Sequence, residues 1–254
     1  ICTGKIELIN NINYDSELTK GVERITRLFN RKQCHYEGRI HEQVVSIDKN
    51  VVTAVDVPIT VGHSGYMGSA DNKKKKAERN IRLLELELKE NGPDAYIYYQ
   101  LGKSYYMQGD YKNASENFEK GLSFDLDPKL EYVQDMVETY GYAMLNSDQA
   151  DNALFFENIY EEFGNTADFQ FLMGLIYMNN ARFEDAVSEF LKATKHSASR
   201  NVGANSYMAF YNIGVIYECL GRADEAKRYY EMCGEYGPAE ERLKGFCCSD
   251  EGSS

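Results

Sequence analysis

Tyr98-Tyr99-Gln100-Leu101-Gly102-Lys103-Ser104-Tyr105, followed by Tyr111, Ala114 and Phe118, decides the fold because it recurs. The order returns as Met173-Gly174-x-x-Tyr177 with Phe183, Ala186 and Phe190. It returns again as Phe210-x-x-Ile213-Gly214-x-x-Tyr217 with Gly221, Ala226, Tyr230 and Pro238. Counted from each glycine, a tyrosine lies three residues on, an alanine twelve and an aromatic sixteen. A period of about 34 residues marks stacked helix pairs. The glycine lets the first helix of a pair approach its partner, and the alanine does the same on the second. Large residues at helical spacing fill the gap between neighbouring pairs. A degenerate copy is read between the first two, with Gly141 and Ala153 in the small positions, so the glycine steps are 39, 33 and 40 residues. Loops at 125–128 and 196–205, or longer helices, take up the excess.

The region resembles tetratricopeptide repeats, which implies a concave face that binds a protein or peptide. The expected fold is mostly α, a helix-pair array preceded by a small α+β fragment. Tyrosines at the repeat positions are read as core. Ahead of the array, Ala77, Ile81, Leu84 and Leu88 mark one face of a helix ending at Asn91-Gly92-Pro93. That helix would cap the first repeat. Its start, Lys73 to Lys76, is a solvated basic turn or a contact for a phosphate or acidic partner.

The net charge of −12 argues against nucleic acid, whose backbone demands clustered Lys and Arg. No apolar run approaches the roughly 20 residues that span a bilayer. Six cysteines form no CxxC pair, and four of them fall in the last 36 residues. That spacing suits neither a zinc site nor a disulfide framework, so reduced thiols in a cytoplasmic protein are expected. Asn113-Ala114-Ser115 fits a glycosylation sequon but falls on an expected helix and is read as chance.

Upstream, residues 5–9 alternate as in a half-buried strand. Residues 17–29 read as helix or loop, and 44–47, 51–55 and 59–61 as short strands. Alternation puts Ile59, Val61 and His63 on one face, pointing inward. Free sheet edges here would allow a homodimer. The chain begins at Ile1 and is read as a piece of something longer. The expected domains are residues 1–68, a helix over 69–92, the repeats over 93–245 and a disordered tail over 246–254.

Arg27-Leu28-Phe29, Gly38-Arg39-Ile40-His41-Glu42 and His63-Ser64-Gly65-Tyr66 resemble the closing part of bacterial family 2 glycosyltransferases. So does the lysine-rich helix with Arg79-Asn80 and Leu83-Leu84. The resemblance is to the subgroup with tetratricopeptide repeats after the catalytic domain, which includes sublancin-type peptide S-glycosyltransferases. It spans the chain but covers only the last third or so of a catalytic domain. It implies a truncated GT-A fold, a nucleotide-sugar donor, a peptide or glycan acceptor and a divalent metal, Mg or Mn. No Asp-x-Asp lies within residues 1–65, so the fragment alone would be inactive and hold no cofactor.

On that resemblance Glu42, beside His41, is a base or an acceptor-orienting carboxylate. The other reading is a salt bridge to Arg39 or Arg27. His63 is a metal ligand or a hydrogen-bonded structural histidine. Arg27 and Arg31, with Tyr66, face the diphosphate or acceptor, or the arginines form structural ion pairs. His35 and His196 are read as surface residues. Two other readings compete: a non-enzymatic tetratricopeptide scaffold with a strand adaptor, and a zinc enzyme using His41, Glu42 and His63. No P-loop, GxGxxG, GxSxG or HExxH is present.

Overall fold

The computed structural model describes residues 1–14, 17–38, 42–66 and 70–249. It divides into two compact units, Ile1–Ala143 and Met144–Ser254.

The first unit opens with strands β1 (Cys2–Tyr14), β2 (Glu17–Leu28) and β5 (Thr53–Tyr66), in the order β2-β1-β5. β1 runs antiparallel to β2, from Gly4 opposite Leu28 to Tyr14 opposite Glu17. It runs parallel to β5. A separate ribbon pairs β3 (Cys34–Glu37) with β4 (Gln43–Ser46).

Three expectations for this region are corrected. Residues 17–29 are not helical. Thr19, Val22, Ile25 and Thr26 are β-branched, and the whole stretch to Leu28 pairs with β1. Residues 53–55 and 59–61 belong to one strand, β5, and Val51 and Val52 lie before it. Its register against β1 slips between Lys5, opposite Asp56, and Glu7, opposite Thr60. Pro58 lies in the slip. Having no N–H to give, proline is tolerated on an edge strand such as this. The face expected to point inward is open, since Ile59 is 43% and Val61 40% exposed. Buried side chains described here include Thr3, Ile6, Cys34 and Ser46.

Helices α1 (Ala70–Asn91), α2 (Ala95–Gln108), α3 (Tyr111–Leu122) and all but the last two residues of α4 (Glu131–Leu145) complete the unit. Helical spacing puts Ala77, Ile81 and Leu84 of α1 in the core, where Ile81 and Leu84 pack with Leu101 of α2. Asp94 caps α2 by accepting from the Ile97 N–H at 2.9 Å. Gly109 ends it at φ 78°, a left-handed conformation that suits glycine. Asp110 then caps α3 through the Asn113 N–H at 3.2 Å.

The second unit holds a 3-10 segment (Asn152–Ile159) and α5 (Tyr160–Phe163). Then come α6 (Ala167–Asn179), α7 (Phe183–Ala193), α8 (Tyr207–Cys219), α9 (Ala223–Glu231) and α10 (Gly237–Ser249). The degenerate repeat shows its irregularity here. Ala153 is fully buried, but it opens the 3-10 segment and the short α5 instead of a regular second helix. α10 continues to Ser249, past the point where a disordered tail was expected to begin. Residues 250–254 lie outside the described residues.

The glycine and aromatic of each full repeat turn out to be one device. A Cβ on Gly102 would lie 2.4 Å from the Phe118 ring, and one on Gly174 or Gly214 2.6 Å from Phe190 or Tyr230. The ring sixteen residues on therefore occupies the volume of the missing Cβ within its own helix pair. Ala114, Ala186 and Ala226 are fully buried beside it.

Candidate functional site

Among the described residues of the strand region, the candidate side chains are not brought together. His41 lies outside the described residues. His63 and Tyr66 sit on β5 opposite Asn10 and Ile12, and their side chains lie outside the described residues. Glu42 is exposed just before β4, and Arg31 is exposed in the turn after β2. Arg27 meets Tyr36, donating to its hydroxyl at 3.5 Å with the guanidinium 5.8 Å from the ring centre. Phe29 packs edge-on against the same ring at 5.0 Å. Among the described residues no group of three or more His, Cys, Asp or Glu could hold a metal ion. Of the two remaining histidines, His35 is exposed as expected. His196 is half-buried, its Nε2 3.1 Å from Gln170 Oε1.

A group of polar and aromatic side chains in the first unit lies on α2 and α4. Tyr96 and Tyr99 stand three apart on α2, and Tyr132 reaches them from α4. Their ring centres are 5.3 to 5.7 Å apart, spacings at which tilted and edge-on aromatic pairs attract. One turn beyond Tyr99 lies Lys103, and opposite both lies Asp135. The Tyr99 hydroxyl and the Lys103 ammonium each donate to Asp135 Oδ2 at 2.7 Å. The ammonium also lies 5.9 Å from the Tyr99 ring centre. From the strands, Gln43 Nε2 donates to the Tyr96 hydroxyl at 3.0 Å.

Burial pushes both phenols up. Tyr96 is restrained by hydrogen bonds from Gln100 and Gln43, whereas Tyr99 rises well above the usual range, with Asp135 adding to the effect. Both phenols therefore stay neutral at ordinary pH. Their negative faces, with the Asp135 carboxylate, present a surface suited to a cation.

The same grouping recurs in the second unit. Tyr160 donates to Glu189 at 2.7 Å, and Lys192 bonds Glu189 while lying 5.3 Å from the Tyr160 ring centre. Arg182 lies 4.4 Å over Tyr177 and bonds Glu157 and Asp185. Arg222 lies 4.6 Å over Tyr217 and bonds Glu225. α6 is nearly all buried, and its Asp168 faces protein. That carboxylate, 3% exposed, accepts the N–H groups of Arg200 and Asn201 at 2.8 Å each and so holds the loop before α8.

Of the tyrosines at the repeat positions, Tyr177 and Tyr230 are buried core, whereas Tyr98, Tyr105, Tyr111 and Tyr217 are half-buried and pack against it. Tyr96, Tyr99 and Tyr132 lie between those positions, and reading by repeat position passes over them. The usable signal is charge. From Asp94 onward the chain has 27 acidic and 13 basic side chains, against 13 and 15 before it.

Comparison with known proteins agrees with the repeat reading. Tetratricopeptide repeat models match residues 95–127, 167–198 and 209–233. Over 172 residues the chain is 24% identical to the Photosystem I assembly protein Ycf3 of Synechococcus sp. (strain CC9902), covering 66% of this chain and 76% of that one. The Ycf3 protein of Parasynechococcus marenigrum (strain WH8102) is also 24% identical, over 63% of this chain and 71% of its own. Among solved structures, YrrB, described as a TPR protein with an unusual peptide-binding site, superposes with a TM-score of 0.53. The identity is 22%, over 67% of this chain and 84% of that one. MamA gives a TM-score of 0.53 at 23% identity, over 71% and 99%. At such identities the structural likeness concerns the fold. The chain carries a mostly helical tetratricopeptide array. These matches overturn the reading of the chain as the end of a nucleotide-sugar-dependent glycosyltransferase, for Ycf3 is named an assembly protein and YrrB a TPR protein with a peptide-binding site.

Proposed function

We propose that the protein is a tetratricopeptide scaffold that binds an extended, cationic segment of a partner protein on the α2–α4 surface. The observation that carries this reading is the Tyr96–Tyr99–Tyr132 pad with Asp135 at its edge. Aromatic faces and a half-buried carboxylate attract Lys and Arg side chains, and tyrosine provides contact area at low entropic cost. The acidic surplus from Asp94 onward adds long-range attraction and faster association. The descriptions of YrrB as peptide-binding and of Ycf3 as an assembly protein lend support by likeness.

Among the described residues no helix is long and apolar enough to cross a membrane. Cys2, Cys34, Cys219 and Cys233 are free thiols, which suits the reducing cytoplasm included in this proposal.

The test is a fluorescence-anisotropy panel of labelled peptides of equal length that are cationic, neutral or acidic. Cationic peptides are expected to bind, more weakly as salt rises. Hydrogen exchange should slow in α2 and α4, and Tyr132→Ala should weaken binding. Equal binding of all three peptide classes would sink the reading.

A further inference from the structure

Asp135 Oδ2 accepts two donors from α2, the Tyr99 hydroxyl and the Lys103 ammonium, each at 2.7 Å. Lys103 lies four residues after Tyr99, so the two share a helix face. Of the four lysines between Asp94 and Ala181, Lys112, Lys120 and Lys129 are exposed and Lys103 alone is not. Its ammonium thus already stands where a carboxylate and an aromatic ring converge. The pair is nonetheless about a third exposed, at 34% for Lys103 and 30% for Asp135. The lysine arm is also long and freely rotating, so fixing it costs entropy.

Resting on the function proposed above, we infer that Lys103 is an internal stand-in for the partner. A lysine or arginine of the bound segment takes its place at Asp135 and Tyr99, and Lys103 swings out to solvent. The exchange conserves charge at the carboxylate, and the incoming side chain adds contact with the Tyr96 and Tyr132 rings. Glu23 of β2 contributes further negative field at the Tyr96 and Tyr99 phenols. Neutral tyrosines at this spot keep the site a cation acceptor across the ordinary pH range.

The experiment is an anisotropy titration of a labelled alternating glycine–lysine peptide against the full chain and three variants. Lys103→Met removes the internal competitor, while Lys112→Met makes the same charge change at an exposed site. A partly exposed ion pair is worth a factor of about two to five, so Lys103→Met should bind that much more tightly than Lys112→Met. Asp135→Asn should weaken binding and erase the advantage of Lys103→Met when the two are combined. If Asp135→Asn does not fold by circular dichroism, Tyr99→Phe replaces it, and the Lys103→Met advantage should then shrink.

Equal tightening by both lysine variants would reduce the effect to net charge and overturn the stand-in, with cationic binding intact. Weaker binding by Lys103→Met would overturn it too, since the lysine would then help the partner. Failure of the peptide to bind any form would remove both this inference and the function beneath it.

Discussion

Gly174→Ala is expected to destabilise the second unit although alanine is the better helix former. In an open helix interior the change gains about 1 kcal/mol. Here the new methyl would sit 2.6, 2.7 and 2.9 Å from three ring carbons of Phe190. The nearest contact is about 0.8 Å inside the 3.4 Å at which ordinary contact begins. Phe190 is fully buried with the Phe171 ring centre 5.4 Å away, so it has little room to retreat. Overpacking of this kind costs about 1–3 kcal/mol, which leaves a net loss of about 1 kcal/mol after the helix gain.

Urea unfolding followed by far-UV circular dichroism measures the loss. Two companion variants make the reasoning refutable. Gly245→Ala, inside α10 with nothing within 4 Å of its Cβ position, should stabilise. In a Phe190→Leu background, where the ring is gone, Gly174→Ala should also become neutral or stabilising. The expected coupling between the two sites is on the order of 1–3 kcal/mol. A raised midpoint for Gly174→Ala alone, or no coupling to position 190, would mean that the ring does not lie on the glycine.

Asp168→Ala removes the acceptor for two half-buried backbone N–H groups and should cost about 1–3 kcal/mol. Faster hydrogen exchange at Arg200 and Asn201 is the local readout, and unchanged protection there would count against the clamp. Asp94→Ala deletes the cap of α2 and should cost about 0.5–2 kcal/mol in urea unfolding, with exchange at Ile97 rising first. Burial pushes the Cys233 thiol up to about 11, so at pH 8 iodoacetamide should label exposed Cys219 well before it, as read by peptide mass spectrometry. A thiol harder to ionise folded than unfolded also makes stability fall as pH climbs from about 9 towards about 11. Cys233→Ala should flatten that fall relative to the parent.

The helical half of the fold was legible because its rule is stereochemical. A ring over a glycine needs the same two residues at the same separation in every helix pair, so Gly102, Gly174 and Gly214 carry the message in one dimension. The degenerate copy was located, but its second element was not foreseen as a 3-10 segment. Ala153 marks a small packing position and says nothing of helix type. Residues 17–29 misled because Arg24, Arg27 and Leu28 suit a helix, and only pairing with β1 settles them as strand. The site was the least legible part. Its tyrosines lie off the repeat positions, and Asp135 meets Lys103 across 32 residues. The charged residues that drew attention near the start, Glu42 and Arg31, are exposed instead.

The recurring tyrosine–carboxylate pairs also explain how so acidic an array folds. Burying a carboxylate without donors is costly, yet Asp168 and Glu189 are 3% and 5% exposed. With 13 cations for 27 carboxylates from Asp94 onward, salt bridges alone cannot serve every acid. Backbone N–H groups serve Asp168. Phenol hydroxyls serve Asp135, Glu189 and Glu218, from Tyr99, Tyr160 and Tyr230. A phenol donates a hydrogen bond without cancelling charge, so each of these acids keeps its attraction for a cation. Lys103, Lys192 and Arg242 answer it at those three carboxylates. At these three sites the tyrosine works beside the cation, and the acids left over from 27 carboxylates and 13 cations supply the negative field through which a cationic partner would be drawn to the repeats.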